Sequence, residues 1–215
     1  MKLSTEQRIL LEKSTAAYER NLEVAAPYLA SRGFTEDVSR SFRFGVVPDD
    51  CLPGDERFRG RLSIPYLTRA GVVSLRYRCI EQHDHSAEAC PKYLGYPGAS
   101  GHLFNVAALF DAAAFLGVSE GELDAVVLSS IGIPAVGVPG ASNWKPHFSR
   151  ILEDYGTIYV FADGDEAGQK FGKRVAESAE GVVVLSMPDG MDVNDVYLSP
   201  EYGPDYLLEK VGMKE

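Results

Sequence analysis

The stretch from Ile158 to Gly168, Ile-Tyr-Val-Phe-Ala-Asp-Gly-Asp-Glu-Ala-Gly, constrains the chain more than any other. Four apolar residues, Ile158 to Phe161, run directly into acid. A short continuous apolar run suits a strand buried on both faces, as in a parallel sheet. Asp163, Asp165 and Glu166 then crowd the end of that strand, where open α/β sheets place their sites. Gly164 lets the backbone turn between the two aspartates. Ala167 and Gly168 open a helix, with Lys170, Phe171, Val175 and Ala176 at roughly helical spacing. Carboxylates packed this closely repel one another, and oxygen-only donors suit Mg²⁺. The same residues also suit a solvated strand-to-helix loop with acids at a helix N-terminus, and this stretch alone leaves both readings open.

The 215 residues allow one domain or two small ones. With 45% apolar residues the chain should bury a proper core. No apolar run approaches the ~20 residues of a membrane helix, and Met1 to Gln7 lacks an apolar signal core, so a cytoplasmic protein is expected. Three cysteines, none in a Cys-x-x-Cys pair, argue against a disulfide scaffold.

The net charge of -10 argues against a nucleic-acid partner if taken as a sum. Its distribution says otherwise. Between Arg57 and Arg78 lie Arg57, Arg59, Arg61, Arg69, Arg76 and Arg78, with no acid among them. This window fits phosphate contacts or, equally, the polar face of a sheet.

Ser4-x-x-Gln7 has the form of a capping box for a helix reaching about Arg20. A second helix is expected from about Leu22 to Arg32 with Gly33 as C-cap, and Thr35 caps a third through about Ser41. Arg61 to Leu67 and Val72 to Cys79 read as a hairpin turning at Ala70-Gly71. On its second strand Arg76 and Arg78 share one face and Leu75 and Tyr77 the other. Cys79, His83, His85 and Cys90 could in principle supply four zinc ligands, but their spacing matches no standard zinc module, and a mobile polar loop is the expectation. Leu103 to Leu116 is Ala-rich and reads as a helix. A second helix is expected from Val118 through Leu128. A short strand should lie within Gly132 to Gly140, a helix from Phe148 to Tyr155, and a further buried strand at Val182 to Leu185. Alternation from about residue 118 to 195 argues for a parallel α/β layer.

Three acidic clusters then stand at equivalent strand ends: Glu120 with Asp124, Asp163 with Asp165, and Asp192 with Asp195. Parallel strands point their carboxyl ends the same way, so the clusters can converge. A convergent carboxylate set is what two-metal phosphoryl chemistry needs.

These residues resemble a known family. Glu120-Gly-x-x-Asp124, Asp163-Gly-Asp165-Glu-Ala-Gly168 and Gly190-x-Asp192-x-Asn194-Asp195 look like the three acidic motifs of the TOPRIM domain. Gly137-Val-Pro-Gly140-Ala resembles the connecting turn of primase-type members. Tyr28-Leu-x-x-Arg-Gly33, Phe42-Arg-Phe-Gly45, Arg61-Leu-Ser-Ile-Pro65 and Pro91-Lys-Tyr-Leu94 resemble segments of the catalytic core of bacterial DnaG-type primases and their phage relatives. The resemblance covers roughly residues 28 to 198.

It implies an α/β protein with an α+β basic subdomain over residues 1–101, a parallel-sheet TOPRIM subdomain over 102–200 and a C-terminal tail over 201–215. The cleft between the subdomains would hold single-stranded DNA template, NTPs, RNA primer and Mg²⁺ or Mn²⁺. Carried over position by position, Glu120, Asp163 and Asp165 become the catalytic acids and principal metal ligands, supported by Asp124 and Asp192. Arg59, Arg61, Arg76, Arg78 and Lys92 become nucleic-acid or nucleotide contacts. The implied activity is DNA primase: template-directed synthesis of short RNA primers by nucleotidyl transfer. No Cys/His set here has the spacing of the family's usual zinc-binding domain, so that domain is expected to be absent or to lie on another chain; such a module and a replicative helicase are the further partners that the resemblance allows. The second aspartate of the third motif is replaced by Asn194, with Asp195 one position late.

Two rivals stay open: a TOPRIM nuclease using the same acids on a phosphodiester, and a non-catalytic primase or helicase-binding subunit. No Gly-x4-Gly-Lys-Ser/Thr segment is present, which excludes an ATP-driven motor on this chain.

Overall fold

The computed structural model describes residues 3–85, 90–96, 101–110 and 114–214, and the chain divides into two units, Met1–Ser100 and Gly101–Glu215. In the first, helix α1 (Thr5–Glu19) begins at the expected capping box. The Gln7 amide donates to Ser4 Oγ at 3.1 Å, and the Ser4 amide donates to Gln7 Oε1 at 2.8 Å. Helix α2 (Leu22–Ser31) stops where Gly33 turns left-handed, and Thr35 caps α3 (Glu36–Ser41). Strands β1 (Gly45–Val46), β2 (Leu62–Thr68), β3 (Gly71–Arg78) and β4 (Tyr93–Gly95) form an antiparallel meander in that order. The hairpin is as expected, with Thr68 opposite Gly71 and Ile64 opposite Arg76. Helix α1 packs on the Leu75–Tyr77 face through Tyr18, and Phe58 stacks on Tyr77 at 3.8 Å.

Beneath these rings sits Asp55, 4% exposed. It accepts hydrogen bonds from Tyr18 and Tyr96 and a longer one from Ser14, and the Tyr77 hydroxyl donates to Tyr96. Burial, then the Asp55 contact, raises the Tyr18 and Tyr96 phenols well above their ordinary range. Asp55→Ala leaves both phenols without their acceptor. The expected cost is about 2–4 kcal/mol, read as a lower urea midpoint, with Asp55→Asn recovering part of it by restoring an acceptor.

The second unit is a parallel sheet in the order β6-β5-β7-β8. Its elements are β5 (Phe115–Ser119), α4 (Glu122–Ser130), β6 (Ala135–Gly137), α5 (Ser149–Leu152), β7 (Thr157–Ala162), α6 (Glu166–Ala176), β8 (Val182–Ser186), α7 (Val193–Leu198) and α8 (Gly203–Lys210). β5 and β7 lie at the centre, and Leu116, Val118, Ile158 and Val160 are fully buried there.

Five expectations are corrected. The expected helix over Leu103–Leu116 is a short 3₁₀ segment at Val106–Phe110 followed by β5, with residues 111–113 outside the described residues. Val118 and Ser119 also belong to β5, so the next helix begins only at Glu122. Pairing with β6 and β7 overrides the helical propensity of the Ala-rich run. The helix expected at Phe148–Tyr155 shrinks to α5. Strand β8 is at the sheet edge rather than buried: Val183 and Val184 are 43% and 38% exposed. Residues 201–215, expected as a tail, carry α8; Leu207 within it and Val211 just after it are buried. Among the described residues no helix is long and apolar enough to cross a membrane.

Candidate metal centre

Each acid of the expected set sits where a strand delivers it. Glu120 follows β5, and Asp124 lies in the first turn of α4. The helix begins between them, which turns both toward one side. Asp163 follows β7. Asp165 is the N-cap of α6 and accepts the Gly168 amide at 2.7 Å. Asp192 is the N-cap of α7, accepting the Asp195 amide at 2.7 Å, while Asp195 accepts the Asp192 amide at 3.2 Å. Asp195 is therefore a capping partner, which accounts for its late position. Asn194 is 1% exposed, and a neutral amide suits that burial better than a second carboxylate would.

Close backbone packing fixes the loops. The Gly164 amide donates to Met191 O and the Gly190 amide to Gly164 O, both at 2.8 Å, so the second and third acidic loops are laced together. A Cβ on Gly164 would fall 1.9 Å from Pro188 O, and one on Gly168 2.1 Å from Asp163 O. The Gly140 amide donates to Glu120 O at 3.1 Å, tying the first loop to the turn after β6.

Glu120 Oε1 accepts the Asp163 amide at 3.0 Å. Burial raises the Glu120 carboxyl above its usual range and Asp165 adds to it, against the opposing effect of that hydrogen bond. Asp163 is pushed up to about 8, by burial first and then by Asp124, Glu120, Asp192 and Asp165. Four of the five expected acids thus act on the fifth, Asp163. Asp163 Oδ1 is buried with no hydrogen-bond partner among the described residues. A buried carboxylate oxygen without a donor, ringed by four further carboxylates, is a donor set that fits a hard divalent cation.

In the other unit the expected basic residues divide. Arg61 and Arg78 are buried at 8% and 7% exposure. Arg61 donates to Pro91 O at 2.8 Å and to Cys90 Sγ at 3.0 Å. Arg78 donates to the Tyr93 hydroxyl and lies over the rings of Tyr28 and Tyr93. Arg76 is half-buried, 4.2 Å from the centre of the Tyr93 ring. Arg59 and Lys92 are exposed, and Arg59 Nε donates to Asp49 O at 2.9 Å. The stacking of Tyr28 and Tyr93 on these arginines was not legible from strand alternation. Glu122, 1% exposed at the start of α4, is a buried acid the motif spacing did not single out.

A Toprim-like family model matches residues 117–197. The gene 57 protein of Mycobacterium phage D29 is 38% identical over 159 residues, 72% of this chain and 99% of that protein. A DNA primase of Neisseria meningitidis is 25% identical over 224 residues, and the chain spans 36% of its length. The RNA polymerase domain of Mycobacterium tuberculosis primase DnaG, solved with a double-stranded DNA oligomer bearing a 6-nucleotide overhang, superposes with a TM-score of 0.73 at 25% identity, covering 91% of this chain and 77% of that one. The chain therefore belongs to one family with the phage D29 gene 57 protein, carries a Toprim-like unit, and has the fold of a DnaG-type primase catalytic core.

Proposed function

We propose that the chain is a DNA primase catalytic core: a template-directed RNA polymerase that makes short primers on single-stranded DNA from NTPs, with Mg²⁺ or Mn²⁺. The observation that carries this reading is Asp163, whose buried Oδ1 has no donor among the described residues while burial and then four neighbouring acids push its carboxyl up to about 8. Glu120, Asp163 and Asp165 would hold the metal, with Asp124 and Asp192 adding charge. A bound divalent ion supplies charge neutralisation at the α-phosphate and at the attacking and leaving oxygens. The 3′-oxygen of one nucleotide bonds to the α-phosphorus of the next, the bond to the bridging oxygen breaks, and pyrophosphate leaves. The chain's own part is to fix the carboxylates before substrate arrives, through the Asp165 and Asp192 caps and the glycine-packed loops.

The test uses 5′-labelled single-stranded DNA with Mg²⁺, with and without NTPs. RNA products that appear only with NTPs, over an intact template, are expected. Shortening of the DNA without nucleotides would favour the nuclease rival.

In this reading Arg59, Arg76 and Lys92 meet phosphate, and Arg61 and Arg78 hold the loops and rings that place them. Arg76→Ala or Lys92→Ala should each reduce the slope of log affinity against log salt by about 1. Arg78→Ala should instead cost about 1–3 kcal/mol of stability, because it empties a buried site between two rings. Filter binding across a salt series and thermal melts separate the two groups. An unchanged slope in Arg76→Ala would remove it from the template contacts. The proposed setting is the cytoplasm, and a replicative helicase and a zinc-binding module on another chain are the partners to test by co-purification.

A further inference from the structure

The spacing of Cys79, His83, His85 and Cys90 matches no standard zinc module, yet the fold gathers all four. Cys79 directly follows β3, and its amide donates to Lys92 O at 2.9 Å, drawing the two ends of the β3–β4 connection together. The four donor atoms lie within 4.8 Å of one another. Cys79 Sγ and Cys90 Sγ are 3.8 Å apart, Cys79 Sγ and His83 Nε2 3.9 Å, and His83 Nε2 and His85 Nδ1 2.9 Å. A zinc tetrahedron with Zn–S of about 2.3 Å and Zn–N of about 2.0–2.1 Å separates its donors by roughly 3.4–3.8 Å. The Cys79–Cys90 sulfur separation already matches and the Cys79–His83 distance is close to it; the two rings need to part by about half an ångström and the remaining donors, all within 4.8 Å, to draw in by up to about an ångström.

The surroundings are those of a built site. Glu81 Oε2 lies 3.7 Å from His83 Nδ1, a carboxylate on the side of that ring away from the cluster, while Nε2 faces the cluster. Arg61 Nη2 donates to Cys90 Sγ at 3.0 Å, which fixes the position of that sulfur. Two thiolates and two imidazoles select zinc over the hard cations that suit the acid cluster.

We infer that Cys79, His83, His85 and Cys90 form a structural zinc site that braces the β3–β4 connection. The brace joins the residue after Arg78 to the residue before Pro91-Lys92, so it would hold Arg61, Arg78 and Lys92 in register. The site does not depend on the primase reading.

The test is zinc analysis of the full chain, purified under reducing conditions and passed through gel filtration. Stoichiometric zinc is expected in the wild type and in Asp163→Asn, which alters only the acid cluster. Cys79→Ser/Cys90→Ser should lose zinc at least ~10-fold. Should that variant fail to fold, cobalt(II) loaded into the metal-stripped wild type decides: a sulfur-to-cobalt charge-transfer band with tetrahedral d–d bands is expected. Stripping the wild type with a strong zinc chelator should lower Tm by about 5–10 °C, and zinc but not Mg²⁺ should restore it. Zinc-free wild type that gives no thiolate–cobalt band would overturn the inference. So would zinc retained by the double cysteine variant, or a Cys79–Cys90 disulfide in protein never exposed to oxidant.

Discussion

Asp163→Asn is expected to lose Mg²⁺ binding and primer synthesis while melting higher than the wild type in EDTA. The sign follows from the surroundings of the residue. An ordinary aspartate value is 3.8, and in the fold Asp163 is pushed up to about 8, by burial and then by Asp124, Glu120, Asp192 and Asp165. A carboxyl raised in this way favours the fold when protonated. Its contribution is fully present below about pH 4 and is lost as pH rises through about 8. Asparagine has no proton to lose. The Tm advantage of the variant should therefore be small near pH 4 and grow toward pH 8. There, with allowance for partial solvent access, it reflects on the order of 2–3 kcal/mol and several degrees. Activity should fall by ~10²–10³-fold or more, the scale of losing a positioned electrostatic group. For the wild type, Mg²⁺ must displace the Asp163 proton, so its affinity should rise with pH up to about 8. Calorimetry of Mg²⁺ binding in two buffers of different ionisation heat reads that proton release. A variant less stable than wild type in EDTA at pH 8 would mean that the acids do not strain the metal-free fold.

The second large effect is at the glycines. Gly164→Ala and Gly168→Ala each drive a methyl into backbone, at Pro188 O and Asp163 O respectively. Neither neighbour is a side chain that can turn aside. Each substitution should cost about 3 kcal/mol or more and displace Asp163 as it does so. Gly190→Ala is the internal comparison. Gly190 has φ of 74° but nothing within 4 Å of its added Cβ, so only backbone strain of about 1–2 kcal/mol is expected. Urea midpoints should rank wild type above Gly190→Ala, and that above both other variants.

What the sequence discloses and conceals follows from the range of each interaction. The Ile158–Phe161 run into Asp163-Gly-Asp165 is legible because one short segment holds both the strand and its acids. The Ser4 and Thr35 caps are legible for the same local reason. Strand β5 is not. Phe115 to Ser119 follows an Ala-rich run, and only pairing with β6 and β7 makes it extended. Gly117 is the clue in hindsight, since a Cβ there would lie 3.0 Å from Ala135 Cβ. The burial of Arg61 and Arg78 depends on Pro91, Tyr93 and Tyr28, residues from separate parts of the first unit, which alternation along one strand cannot show. The Cys/His residues are visible as a set, but their spacing points to a loop, because zinc spacing rules describe short modules, whereas here strand pairing brings Cys79 and Cys90 together. The five acids were legible as a set, but that Asp163 Oδ1 has no donor among the described residues follows only from the fold.

The most direct measurement is labelled NTP incorporation on single-stranded DNA by the full chain in Mg²⁺ or Mn²⁺, wild type beside Asp163→Asn. Short, template-dependent RNA from the wild type and none from the variant is the expected result. Equal product from both proteins, or none from the wild type with either metal, would contradict the assignment of these acids to primer synthesis.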